Sequence, residues 1–211
     1  MIESLFDYLN PETLIQQGGL LLLFIIVFAE TGLFFGFFLP GDSLLFIAGL
    51  LCDSEYINVP PAVLILILVA GATLGTIAGY LTGRWTESYL RNRKENFFYK
   101  KKYLDVAQDF YTKYGMVAFI TGRFLPVVRT FVPILAGIIR INFGKFLAYN
   151  FVGAAVWVTV LVMAGYLLGN RFPLLIDHIE LIIVFLIVIT SIPVMITFIR
   201  QKNSVNKEKG I

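Results

Sequence analysis

The sequence predicts an all-α integral membrane protein built from two inverted repeats. Each repeat is a re-entrant helical hairpin followed by a transmembrane helix, and an additional transmembrane helix ends the fold. Three observations support this prediction. The chain is 58% hydrophobic and 15% charged, whereas a soluble domain averages about 45–50% apolar and about 25% charged residues. Two apolar segments are too short, or too interrupted by proline, to span a bilayer as straight helices. Motifs from both halves recur at one fixed spacing.

The first repeat follows an N-terminal segment, 1–19, that mixes polar and apolar residues and is predicted to lie on the membrane surface. Residues 20–51 are almost wholly apolar, with a break at Leu39-Pro40-Gly41-Asp42 and with Glu30 and Asp42 as the charged residues. The arm after this break is shorter than the roughly 20 residues of a spanning helix, so a hairpin that enters and leaves by one face fits better. Residues 62–83 carry no charge and form the first predicted span.

The second repeat follows a basic stretch, 84–114, in which aromatic and apolar residues recur at helical spacing. This pattern predicts a basic amphipathic segment at the cytoplasmic surface. Residues 116–139 form the second predicted hairpin and 145–169 the second span. Residues 181–199 form the last span, and 200–211 are a basic tail. Together, 20–199 form a single membrane domain.

The repeat is visible as short motifs offset by 86 residues, counted from Gly36 to Gly122. Gly36-Phe37-Phe38-Leu39-Pro40 matches Gly122-Arg123-Phe124-Leu125-Pro126, and a Gly-Tyr-Leu motif recurs at the same offset in the two spans. Two matches at one offset indicate a genuine repeat. One hairpin plus one span crosses the membrane an odd number of times, so the copies are inverted. Inverted repeats with broken helices are an architecture of secondary transporters.

The distribution of charge predicts the orientation of this multi-pass protein in the plasma (inner) membrane. Basic loops favour the cytoplasmic side, which places 84–114 and the C-terminus inside. The acidic loop around Asp53 and Glu55 then lies outside, together with the N-terminus. No Lys or Arg precedes the first apolar run, so a cleaved signal peptide is not expected.

Four charged residues lie in the predicted hairpins: Glu30 and Asp42 in the first, Arg123 and Arg129 in the second. A charge at mid-bilayer costs about 2.5–3.5 kcal/mol on insertion scales, so such residues are rare and usually functional. Inverted symmetry would bring the hairpin tips together, with acids facing bases. The structural alternative is a pair of internal salt bridges that hold the hairpins together, although an apolar core would stabilise the fold as well.

In the functional interpretation, Arg123 and Arg129 hold a phosphate, for which a guanidinium fork is well shaped. The N–H groups that open the second arm add affinity for an anion. The two carboxyl groups beside these arginines can take up and release protons, which would allow proton coupling. Ser43, Thr130 and Thr31 are candidate polar ligands, for which hydrogen bonding back to a helix carbonyl is an equal alternative.

Other chemistry is disfavoured. Cys52 is the only cysteine and His178 the only histidine, so an internal disulfide is excluded and a histidine-based metal site is not expected. No nucleophile–base pair is visible, which argues against an enzyme, and no cofactor is expected. A net charge of +3 and the absence of a recognisable module argue against nucleic-acid binding. Trp157 and Tyr166 are expected to pack or to lie at the interface rather than to line the site.

The chain resembles the DedA family of bacterial membrane proteins, which shares its core with eukaryotic SNARE-associated Golgi (VTT-domain) lipid scramblases. The resemblance covers residues 15–170 and is most specific between 122 and 137. The matching positions are Glu30, 36–45, 79–84, 113–115, 122–130, Pro133, Ala136, Gly137, Phe146, Tyr149, Asn150, Gly153 and Trp157. One departure is Thr76, where many relatives carry an acidic residue.

The resemblance implies two opposed re-entrant hairpins and functional roles for Glu30, Asp42, Arg123 and Arg129. Members of the family are associated with recycling undecaprenyl phosphate, the lipid carrier of cell-wall synthesis, and with proton-motive-force and envelope phenotypes. The expected function is therefore that of a flippase for this lipid phosphate, with membrane lipids as surroundings and protons as a coupling ion. A proton-coupled small-ion or drug antiporter and a non-selective phospholipid scramblase are the alternatives. The sequence leaves the oligomeric state open.

Overall fold

The structure, a computed structural model, describes residues 11–34, 36, 39, 41–52, 57–91, 111, 115, 117 and 120–172. These residues form helices and loops, with a single β-bridge between Cys52 and Ile57. The prediction of an all-α protein is confirmed over this part of the chain. The predicted span 181–199, the tail and most of the basic stretch 84–114 lie outside the described residues.

Within the described residues the structure has five numbered helices, taken in chain order. They are α1 Pro11–Gly32, α2 Gly41–Leu50, α3 Pro61–Arg91, α4 Pro126–Ile138 and α5 Phe143–Arg171.

Helices α3 and α5 each contain a segment that is long and apolar enough to cross a membrane, the two found in the described part of the chain. These segments run from Pro61 to Glu87 and from Phe143 to Arg171, and have 27 and 29 residues. They include the predicted spans 62–83 and 145–169. Helix α3 continues to Arg91, so the first residues of the predicted basic loop are helical. Beyond Gly83 the Glu87 carboxylate accepts a hydrogen bond from Arg140 Nε at 2.9 Å, which ties the extension to the end of α4.

Helices α1, α2 and α4 supply shorter apolar segments. Helix α1 is divided at Gly19, whose φ of 54° lies in the left-handed region that glycine tolerates. Helix α2 has 10 residues and α4 has 13, which correspond to about 15–20 Å at 1.5 Å per residue. A hydrocarbon core is about 30 Å thick, so neither helix spans it alone. Their re-entrant insertion stays a prediction.

Each of the short helices α2 and α4 packs against the long helix of the other half of the chain. Helix α2 packs along α5, whereas α4 packs along α3, and α1 also packs along α3. The backbones approach closely at Gly49 and Gly165 in the first contact, and at Gly83 and Gly137 in the second. A Cβ atom at any of these four glycines would lie 2.0–2.1 Å from a carbonyl oxygen of the opposite helix. Only glycine allows this approach.

Two apolar clusters lie on either side of a polar layer. The larger one includes Ala72 of α3 and Ala154 of α5, and the smaller one includes Tyr80 of α3 and Phe146 of α5. Polar residues of the same two helices lie between these positions, and they belong to the site described next.

Candidate functional site

A cluster of buried charged and polar side chains lies where the five helices meet. Four of these helices contribute the buried residues Glu30 (α1), Thr76 (α3), Arg129 (α4), and Asn150 and Trp157 (α5). Helix α2 adds Asp42, whose side chain is 18% exposed. Arg123 joins them from the turn that precedes α4.

Arg129 forms ion pairs with both acids of the first half of the chain. Its Nη2 donates to Glu30 Oε1, and its Nη1 donates to Asp42 Oδ1 at 2.7 Å. The side chains of Glu30 and Arg129 are each 1% exposed. Because a buried carboxylate is costly without a partner, this arginine serves as the counter-charge for the pair of acids.

The N-terminus of α2 supports the two carboxylates. Glu30 Oε1 accepts the backbone N–H of Gly41 at 3.2 Å, and Asp42 lies in the first turn, where the helix dipole favours negative charge. A Cβ atom at Gly41 would lie 1.4 Å from Glu30 Oε2. The Pro-Gly-Asp sequence therefore places Asp42 at the start of the helix, while the missing side chain of Gly41 leaves room for the Glu30 carboxylate.

Trp157 completes the surroundings of Arg129. Its Nε1–H donates to Asp42 Oδ1 at 2.9 Å, and its ring lies 4.5 Å from the Arg129 guanidinium carbon in a cation–π contact. Trp157 packs in the core, as expected, and its contacts with the two charged side chains were not predicted. A fully buried indole needs an acceptor for its N–H, and here that acceptor is one of the charged residues.

Arg123 has different partners, although it is as deeply buried as Arg129. Its Nη2 donates to Asn150 Oδ1, and its Nη1 has no hydrogen-bond partner among the residues that the structure describes. Asn150 Nδ2 donates in turn to Thr76 Oγ1. No carboxylate of the described residues pairs with Arg123.

A small cavity lies between the two arginines. Its volume is about 10 Å³, measured as the space open to the centre of a water molecule, which is room for about one water. Its lining residues are Thr76, Gly122, Arg123, Arg129, Val132, Pro133 and Asn150.

The hydroxyl groups predicted to line the site are buried beside it and bond mainly to backbone. Thr130 Oγ1 donates to the Glu30 carbonyl at 3.4 Å, and Thr31 Oγ1 donates to the Val27 carbonyl at 2.8 Å. For Thr31, the alternative of back-bonding to the helix is the observed one. Ser43 is 1% exposed in the first turn of α2.

Asn150 and Thr76 were not predicted as site residues. Asn150 is a polar residue inside an apolar helix, and that placement is itself the signal that could have identified it. Thr76 Oγ1 donates its proton to the Ala72 carbonyl at 2.8 Å. It therefore contributes to the site as the acceptor of the hydrogen bond from Asn150.

Comparison with known proteins identifies the family of the chain. A family model described as the VTT domain matches residues 39–167. The chain belongs to the VTT-domain (DedA) family. The protein DedA of Escherichia coli K12 is 38% identical over 183 residues, which cover 87% of this chain and 83% of that protein. An uncharacterized membrane protein of Mycobacterium tuberculosis is 36% identical over 84% of this chain and 78% of its own length.

A third relative of this VTT-domain protein is the inner membrane protein YqjA of E. coli K12. It is 35% identical over 148 residues, which cover 70% of this chain and 66% of that protein. No solved structure matches the chain. The family assignment confirms the resemblance seen in the sequence and identifies the chain as a membrane protein. The cluster residues from Asp42 to Trp157 lie inside the range matched to the VTT domain.

Proposed function

We propose that this VTT-domain protein is a non-enzymatic flippase that returns a lipid phosphate, undecaprenyl phosphate, across the plasma membrane for cell-envelope synthesis. The observation that carries the proposal is the environment of Arg123. A buried guanidinium whose described partner is a neutral amide, and whose Nη1 is unpartnered among the described residues, favours an anion as its missing partner. A phosphate offers oxygens with suitable geometry for both nitrogens.

The charges of the cluster give a reason for coupling to protons. Glu30, Asp42 and Arg129 together carry one net negative charge when both acids are ionised, and Arg123 carries one positive charge. The cluster is then neutral before a ligand arrives. A phosphate monoester brings about −1.5 to −2 charges at pH 7. Protonation of one of the two acids would offset one of these charges and release one arm of Arg129, so that both arginines could bind the phosphate.

The size of the cavity requires a structural change on binding. Space for one water does not admit a phosphate group. Helix α4 is suited to move, because it starts at Pro126 without a side-chain cap from Leu125 and contains Pro133. Proline at position 133 cannot donate to the Arg129 carbonyl four residues earlier, which weakens the helix beside the site.

The proposal keeps the predicted arrangement in the membrane. The hairpins of α1–α2 and of α4 would enter from opposite faces, with the N-terminus outside and the C-terminus in the cytoplasm. The phosphate would pass between the hairpin tips while the polyprenyl tail stays among membrane lipids. The short lengths of α2 and α4 and their exchanged packing on α5 and α3 support this arrangement.

A leaflet-resolved transport assay in proteoliposomes tests the proposal. The full chain is reconstituted with fluorescent polyprenyl phosphate, and the parallel arms contain fluorescent polyprenol or phosphatidylcholine. We expect transfer of the phosphate lipid alone, with a rate that changes when a pH gradient is imposed. Equal transfer of all three lipids would identify a non-selective scramblase. Proton flux driven by a small cation or drug without lipid transfer would identify an antiporter.

A further inference from the structure

Arg123 begins a series of hydrogen bonds in which each group donates to the next. Arg123 donates to the oxygen of the Asn150 amide, and the nitrogen of that amide donates to Thr76 Oγ1. Thr76 uses its single proton toward the carbonyls of its own helix, of which Ala72 is 2.8 Å away. Its oxygen is therefore left to accept. In this orientation each of these three hydrogen bonds joins a donor to an acceptor, so Asn150 presents its oxygen to the arginine.

We infer that Asn150 is the specificity-determining positioning residue of the anion site. Its neutral oxygen fixes the Arg123 guanidinium without neutralising it, and Thr76 fixes the amide in turn. This inference rests on the proposed function. The neighbouring Arg129 shows the opposite arrangement, in which two carboxylates balance the charge of the same residue type.

An aspartate at position 150 would occupy the same space and reverse the electrostatics. One carboxylate oxygen would accept from Arg123, and Thr76 could turn its hydroxyl proton from the helix carbonyl toward the other oxygen. The result would be a well-bonded internal ion pair. Because Arg123 would then have its counter-charge within the protein, an incoming phosphate would find no unbalanced cation.

The test compares Asn150→Asp with Asn150→Ala in the purified full chain in detergent. Binding of C55 polyprenyl phosphate is measured alongside binding of the uncharged polyprenol. We expect Asn150→Asp to bind the phosphate at least about tenfold more weakly than wild type, since a charge-assisted bond to the ligand is lost. Asn150→Ala leaves Arg123 charged and should bind more tightly than the aspartate variant. Binding of polyprenol should not change.

The order of the two variants separates this role from a structural one. A purely structural residue would tolerate the equally sized aspartate better than alanine, in both thermal unfolding and binding. We expect thermal stability to follow that structural order while phosphate binding follows the reverse. Asn142→Asp, at an exposed helix cap on the same helix, is the matched control and should bind as wild type does.

A second variant keeps the inference testable if Asn150→Asp does not fold. Thr76→Val removes the acceptor that orients the amide, and we expect about three- to tenfold weaker phosphate binding. Thr82→Val removes an equivalent bond to backbone on the exposed face of the same helix and is its control. Phosphate binding by Asn150→Asp at the wild-type level would overturn this inference alone. No phosphate binding by the wild-type chain would overturn the proposed function and this inference together.

Discussion

Arg129 and Arg123 are six positions apart, and each is 3% exposed, yet they have opposite surroundings. Arg129 is held by two carboxylates and the face of a tryptophan. Arg123 is held by one amide and borders a cavity. Burial and residue type are the same, so the difference lies in the partners. The first arginine pairs with the acids of the fold, and the second has no direct carboxylate partner among the described residues.

Two single variants, Arg129→Met and Arg123→Met, would test this contrast directly. The largest loss of stability is expected for Arg129→Met. The substitution leaves Glu30 buried without its counter-charge, which costs about 3–5 kcal/mol when one partner of a buried pair is removed. Denaturant unfolding in detergent measures the loss. The control is Arg140→Met at the half-exposed pair with Glu87, where about 1 kcal/mol or less is expected. Equal losses at the two positions would contradict the assignment.

The next largest loss of stability is expected for Trp157→Phe, which changes the surroundings of Arg129. Trp157→Phe keeps an aromatic face for the guanidinium but removes the hydrogen bond to Asp42, and bonds to charged groups contribute about 1.5–3 kcal/mol. Thermal unfolding should detect the change. Trp85→Phe is the natural control because Trp85 is 76% exposed. A loss no greater than that of the control would show that the indole N–H is not needed.

Gly41 offers a way to disturb the carboxylates without changing any charge. Gly41→Ala places a methyl group where the Glu30 carboxylate lies, and overpacking of this kind costs about 1–3 kcal/mol. Gly79→Ala is the control, since its Cβ would meet its nearest neighbours only at 3.4 Å. We expect unfolding at lower denaturant concentration for the first variant and near wild-type behaviour for the second. The reverse order would place Glu30 elsewhere.

Arg123→Met is expected to have the smallest effect on stability of the four variants. Methionine fills similar space, and removal of a buried cation that lacks a carboxylate partner should change the free energy of unfolding by about 1 kcal/mol or less. Lipid-phosphate transport in proteoliposomes should nevertheless be lost. Retained transport, or destabilisation as large as that of Arg129→Met, would remove the contrast between the two arginines.

The sequence predicted the described helices well because hydropathy reports the segments that leave water. It placed α3 and α5, and it placed the arms that became α2 and α4. It did not predict the extension of α3 to Arg91, since hydropathy indicates where the membrane ends and not where a helix ends. That end depends on the tertiary pair between Glu87 and Arg140.

The sequence predicted the four charged residues of the candidate site but not their pairing. The repeat indicated that the acids and arginines of the two hairpins would face each other. It could not indicate that Arg129 would engage both acids while Arg123 turned to Asn150, because that choice depends on the relative heights of five packed helices. Asn150 and Trp157 were missed as well: a polar group inside an apolar helix indicates a candidate site residue, but only the structure shows which partner it bonds.

The exchanged glycine contacts have a consequence for the biosynthesis of the protein. Helix α2 reaches its partner α5 only after the 102 residues that follow Gly41, up to Phe143, have been translated, which takes about 5–20 s at ordinary ribosome speeds. For most of that interval the nascent first half carries Glu30 and Asp42 without Arg129, which later pairs with both. Because a buried carboxylate without its partner is costly, burial of Glu30 must await the second half of the chain.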